Sequence, residues 1–216
     1  MNFKSYEEGT GERALSLIAL FEEVAREKQI KIIVALQASD IREAVAVSSL
    51  EVWAQHVSSN KPGAYTGAVT VEAVKEDGAM GTFLNHSERR FGDFEELAAA
   101  NGRALDLGLK TLIFAGSTKE LGQAAGLSPT YLAYEPPELV GSKETSVAEA
   151  VPEIIKEAQE IAQKARIPLV VGAGIKTAED VRTSLRLGAV GVAVASDVVI
   201  SDDPKGELED LAEGFR

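Results

Sequence analysis

Cysteine is absent from the sequence, which excludes disulfide frameworks, thiolate metal sites and cysteine nucleophiles and makes a reducing cytoplasm the expected compartment. Positive charge is scarce: 22 lysines and arginines against 34 aspartates and glutamates give a formal charge of -12, with no basic tract. Such a chain repels phosphate backbones and anionic bilayers, so neither nucleic acid nor membrane is an expected partner. Apolar runs of about 18 residues, the length a membrane helix needs, are missing. So is a basic N-terminal stretch leading into a hydrophobic one, the mark of a secretion signal. Any anionic ligand must therefore find local positive potential in a lysine, a helix N-terminus or backbone N–H groups.

What is present is a repeating pattern over 216 residues, a length that buries a sizeable core without staples. Ala14, Leu17, Ile18, Phe21, Val24 and Ala25 follow helical spacing, and Ile30 to Leu36 is an apolar run of strand length. The alternation recurs with strands near Glu51 to Gln55, Met80 to Leu84, Thr111 to Phe114, Tyr131 to Tyr134, Pro168 to Val171 and Val190 to Ala195. Val151, Ile154, Ile155, Ala158, Ile161, Ala162 and Ala165 make the clearest helical stripe. Seven apolar strands alternating with helices predict a parallel sheet covered by helices, and the length favours a compact (β/α)8 barrel over a doubly wound sheet. No linker divides the chain, so residues 1–216 read as one domain; the longest loop, Glu135 to Thr145, follows a strand.

Ligands of parallel-sheet proteins bind at the C-terminal ends of the strands. One strand here ends on Asn85-His86-Ser87-Glu88-Arg89-Arg90, which contains one of only two histidines. Another ends on Glu135-Pro136-Pro137-Glu138-Leu139-Val140-Gly141. Taken singly, these features have plain explanations: a strand-end histidine such as His56 is as often structural as functional, Glu135 could cap a loop, Gly172-x-Gly174 is common, and Arg89 and Arg90 could form loop salt bridges.

Together they resemble the triosephosphate isomerase family. Asn85 to Arg90 resembles its HSERR signature, and Tyr134 to Gly141 its base and hinged lid. Asn2-Phe3-Lys4 is similar to its N-x-K site, Gln55-His56-Val57 to its third-strand end and Gly63-Ala64-Tyr65-Thr66-Gly67 to its dimer loop. Gly172-Ala173-Gly174 and Ala195-Ser196 resemble its phosphate-binding loops. The wording of Trp53-Ala54-Gln55-His56 and Glu135-Pro136-Pro137-Glu138 is closest to the short archaeal form.

The resemblance implies interconversion of dihydroxyacetone phosphate and D-glyceraldehyde 3-phosphate in glycolysis and gluconeogenesis, without metal or cofactor, by a homodimer or a tetramer of dimers. It implies Glu135 as the base and His86 as the electrophile at the enediolate oxygens. A neutral histidine with its pKa lowered by a helix N-terminus is a family feature carried over with the resemblance; Ser87 and Glu88 fit a helix start. Lys4 would supply positive charge, with Asn2 beside it, and Glu88 would support them from behind. Backbone N–H groups of Gly141, Gly174, Ala195 and Ser196 would grip the phosphate. Pro136 to Ser142 would be the lid. The rival readings are another phosphate-binding barrel of the indole-glycerol-phosphate type, and a degraded barrel that binds without turnover.

Three departures from the family stand out. The chain opens at Met1, directly before Asn2-Phe3-Lys4, where the family has a complete apolar strand. Losing it forfeits several buried side chains at roughly 1.5 to 3 kcal/mol each. Two expectations follow: either the sequence is a truncated reading of a longer gene, or the barrel is open between its nominal second and eighth strands, with Asn2 and Lys4 tethered at a mobile terminus. Asp197 adds a carboxylate beside the phosphate loop, either to cap a helix or to repel the ligand. Phe114 replaces a small residue, usually cysteine, with bulk that could compensate for missing packing.

Overall fold

The computed structural model describes residues 1–136 and 152–216. Seven strands form one sheet in sequential order: β1 (Ile33–Leu36), β2 (Glu51–Ala54), β3 (Gly81–Leu84), β4 (Lys110–Ala115), β5 (Tyr131–Tyr134), β6 (Leu169–Val171) and β7 (Gly191–Val192). Every neighbouring pair is parallel, as helical crossovers require. All seven expected strands are present. The helices between and around them are α1 (Gly11–Lys28), α2 (Ile41–Val47), α3 (Val71–Glu76), α4 (Phe94–Asp106), α5 (Thr118–Ala125), α6 (Pro152–Ala165), α7 (Ala178–Arg186), α8 (Ser196–Val199) and α9 (Pro204–Glu213). Their starts follow capping chemistry: Asp93, Ser117 and Thr177 each accept a backbone N–H of the first turn, and Thr177 with Asp180 completes a capping box. Among the described residues, no helix is long and apolar enough to cross a membrane.

Strand periodicity separates two cores. On β4, Thr111, Ile113 and Ala115 alternate with Leu112 and Phe114, so successive side chains face opposite sides of the sheet. The outward set packs under the helices with Ile18, Phe21, Leu36, Leu84 and Leu132. The inward set, Ala35, Trp53, Phe83, Leu112, Phe114 and Ala133, fills the barrel axis. Gly81 makes this possible: a Cβ there would clash with the Trp53 indole.

The seam between β1 and β7 is bridged at one end only. Asn2 forms a parallel bridge with Ala35. Its N–H donates to Val194 O at 2.8 Å, while Ala35 N–H donates to Met1 O at 2.9 Å and Phe3 N–H to Ala35 O at 3.1 Å. Met1 to Phe3 thus reaches both edges and joins them at the C-terminal end of the strands. The expectation of a terminal tether is corrected here, because backbone bonds on both sides fix Asn2 and hence Lys4. Below this stub the seam is open, as expected: an apolar cavity of about 480 Å³ is lined by Ile33, Trp53, Phe83, Tyr131, Val192 and Leu211 among others.

Candidate active site

The C-terminal ends of the strands converge on a cavity of about 320 Å³ lined by Asn2, Lys4, His86, Phe114, Glu135, Gly174, Ala195 and Ser196, with Asp197 also on its wall. Of the residues predicted for the site, only Gly141, within the predicted lid, lies outside the described residues; Glu88 stands behind the cavity, against Lys4 and His86.

Lys4 has a left-handed backbone, φ 49°, a conformation that costs a non-glycine residue about 1 kcal/mol or more. Two groups hold it there. Lys4 N–H donates to Asn2 Oδ1 at 3.0 Å, and Gln55 Nε2 donates to Lys4 O at 2.8 Å. The Lys4 ammonium meets Glu88 Oε1 at 2.7 Å, so the cation is already aimed along the face of the site. Gln55 was noted in sequence only as a strand end; its grip on Lys4 depends on a side-chain direction that spacing does not reveal.

His86 is buried and neutral. Burial drives its pKa from 6.5 to about 4, with Lys4 acting in the same sense and Glu88 opposing. Its tautomer follows from the hydrogen bonds: Glu88 N–H donates to Nδ1 at 3.2 Å, so Nδ1 is the acceptor and Nε2 carries the proton. Nε2 lies 3.4 Å from Glu135 Oε2; with the ring neutral this is a long N–H···O contact and not an ion pair. Asn2 Nδ2 stands 3.5 Å from the same Nε2, but both nitrogens are donors, so the contact is steric. The expected helix start at Ser87 and Glu88 is corrected: these residues form a turn, closed by Arg89 N–H donating to His86 O at 2.8 Å, and the next helix begins at Phe94. Burial keeps the imidazole neutral, and a single turn N–H occupies Nδ1.

Glu135 directly follows β5, with 9% of its surface exposed. Burial lifts its pKa from 4.5 to about 7, helped by Glu88 and opposed by Lys4 and by Ser87, whose Oγ lies 3.4 Å from Oε2. Room for the carboxylate comes from Gly172, where a Cβ would lie 2.9 Å from Glu135 Oε1. Sequence reading assigned that glycine only to the phosphate loop. The loop itself turns through two left-handed residues, Ala173 and Gly174.

At the far end of the cavity Ala195 is the N-cap of the short α8 and has no side-chain cap. Asp197 sits exposed on its first turn, which removes the capping alternative and leaves a carboxylate beside the pocket. Arg90 pairs with Glu120 at 2.9 Å, as the salt-bridge reading of that arginine expected. His56 packs against Phe91 with ring centroids 5.2 Å apart, and its Nδ1 is buried without a partner among the described residues.

This arrangement, a buried carboxylate facing a neutral imidazole N–H beside a lysine, suits proton abstraction next to a carbonyl. The family model for triosephosphate isomerase matches residues 1–213. The triosephosphate isomerase of Methanobacterium bryantii is 40% identical over 213 residues, covering 98% of this chain and 93% of that protein. That of Methanopyrus kandleri is 40% identical over 219 residues, covering 100% and 96%. That of Metallosphaera sedula is 40% identical over 215 residues, covering 99% and 93%. Matches that run through every element just described, stub and strand ends included, place this chain in the triosephosphate isomerase family.

Proposed function

We propose that this protein interconverts dihydroxyacetone phosphate and D-glyceraldehyde 3-phosphate, as a step of glycolysis and gluconeogenesis in the cytoplasm. The observation that carries this reading is the 3.4 Å approach of Glu135 Oε2 to His86 Nε2 in one buried cavity with Lys4. Glu135 takes a proton from the carbon next to the carbonyl and returns it to the neighbouring carbon. A base with a pKa of about 7 is matched to that task near neutral pH. His86 donates its Nε2 proton as a hydrogen bond to the oxygens on which charge develops, and Lys4 stabilises that charge. Glu88 orients both, through its N–H on His86 Nδ1 and its carboxylate on Lys4.

The substrate phosphate lies on the backbone of Gly174, Ala195 and Ser196, which line the other end of the cavity. Asn2 fixes the lysine. The chain works without a metal or organic cofactor, as a homodimer or a tetramer of dimers through the exposed loop at residues 63–67.

The test is turnover of D-glyceraldehyde 3-phosphate by the purified chain beside Glu135→Gln. Activity that falls by roughly 10²- to 10⁴-fold in the variant supports the isomerase with Glu135 as base. A folded wild-type chain that binds inorganic phosphate without turnover supports the degraded barrel instead.

A further inference from the structure

The aromatic side chains inside the barrel form a continuous column that ends on the candidate electrophile. Tyr131 and Trp53 lie 6.2 Å apart between ring centroids, Trp53 and Phe83 6.1 Å, Phe83 and Phe114 5.0 Å, and Phe114 and His86 4.8 Å. The last three contacts are edge-on, at 67°, 69° and 74°, the geometry in which a positive ring edge meets a negative ring face. The top of the column is Phe114, 3% exposed.

Phe114 reaches His86 by a second route. Asn85, immediately before the histidine, is left-handed at φ 59°. Its Nδ2 donates to Phe114 O at 3.2 Å, and its Oδ1 accepts from Phe91 N–H at 3.4 Å. The same residue therefore supports the imidazole through its ring and anchors the turn that aims it through its carbonyl. The charged groups around the imidazole are Lys4 from the N-terminal stub, Glu88 from its own turn and Glu135 from the end of β5. Phe114 supplies the apolar ring against the same imidazole.

We propose that Phe114 is a positioning residue: its ring keeps His86 dry and upright, so that the Nε2 proton points at the reacting oxygens. The bulky residue at this strand end thus has a part in catalysis as well as in packing. The proposal deepens the isomerase reading and rests on it. Without the ring, water reaches the imidazole, protonation becomes easier, and the hydrogen bond to the developing oxyanion loses its fixed direction.

The experiment compares Phe114→Leu, Phe114→Ala and, one layer down, Phe83→Leu. Each is followed by NMR titration of the His86 ring in the folded protein and by kcat and KM. We expect Phe114→Ala to raise the His86 titration midpoint from its depressed value toward the ordinary histidine range and to lower kcat by about 10- to 100-fold with KM little changed. Phe114→Leu should retain part of both properties, and Phe83→Leu should lower thermal stability while leaving the titration in place. The proposal is overturned if His86 titrates alike in wild type and a folded Phe114→Ala, or if Phe83→Leu moves it as far. The titration reads Phe114 whether or not the chain turns over, so an unmoved His86 midpoint in an active enzyme overturns this proposal alone, whereas an inactive wild type overturns the isomerase reading and this proposal with it.

Discussion

At the C-terminal end of the strands, Met1 to Phe3 bonds to both Ala35 and Val194, and the side chains around it are polar, buried and mutually aimed. At the N-terminal end of the same seam, apolar side chains line an open cavity of about 480 Å³. There Glu51 accepts Trp53 Nε1–H at 2.9 Å, Lys110 at 2.7 Å and Lys31 at 2.6 Å. The contrast separates a rim held by backbone bonds from a lower seam filled by side chains. Backbone bonds are retained where Lys4 must be held to a fraction of an ångström. Apolar filling by the axial aromatics serves where only volume is needed.

If the upper rim is built for chemistry at the expense of stability, removing its base should uncouple the two. The folded Glu135 pKa of about 7 lies above the ordinary 4.5, so the unfolded chain ionises first. The stability this group lends is complete below about pH 4.5 and is lost as pH rises through 7, a difference worth roughly 3 kcal/mol. Glu135→Gln should therefore be more stable than wild type at pH 8 by up to about that amount, with the gap closing near pH 4.5, although it has lost turnover. Urea unfolding at the two pH values checks this; a variant less stable than wild type at pH 8 would remove the strain from the upper rim and with it half of the contrast.

The same carboxylate sets the expected pH profile. In the free enzyme kcat/KM should fall about tenfold per unit below pH 7 as Glu135 protonates, with no limb from His86 until near 4. The substrate phosphate titrates near pH 6, below the Glu135 limb. A profile flat from pH 8 down to 6 would show that burial does not hold Glu135 near 7 in the free enzyme.

Much of this was legible in the chain. Periodicity located the seven strands, and the strand-end clusters at His86 and Glu135 marked the site because parallel sheets carry their ligands there. What escaped was direction. Nothing in the spacing says that Gln55 turns its amide onto Lys4 O, that Gly172 is empty to admit Glu135 Oε1, or that the Ser87-Glu88 turn serves His86 Nδ1 with one N–H where a helix start was expected. The stub also escaped: three residues are too few for a strand period, and their role depends on two edges brought together from residues 35 and 194.

The smallest expected effect tests the lower end. Burial raises the Glu51 pKa, but hydrogen bonds from Lys110, Lys31 and Trp53 outweigh it and leave it lowered. Its contribution to stability is therefore present above about pH 4.5 and is lost as pH falls through the depressed folded value. Glu51→Gln keeps the shape and the Trp53 acceptor but loses the charge shared by two lysines. It should cost about 1 to 2 kcal/mol at pH 7, shrinking toward pH 3, with kcat and KM within about twofold of wild type. Denaturant unfolding and steady-state kinetics on one preparation check both halves. A substantial loss of kcat would mean that the aromatic column carries the disturbance from Trp53 up to His86, and that the two ends of the barrel are not independent.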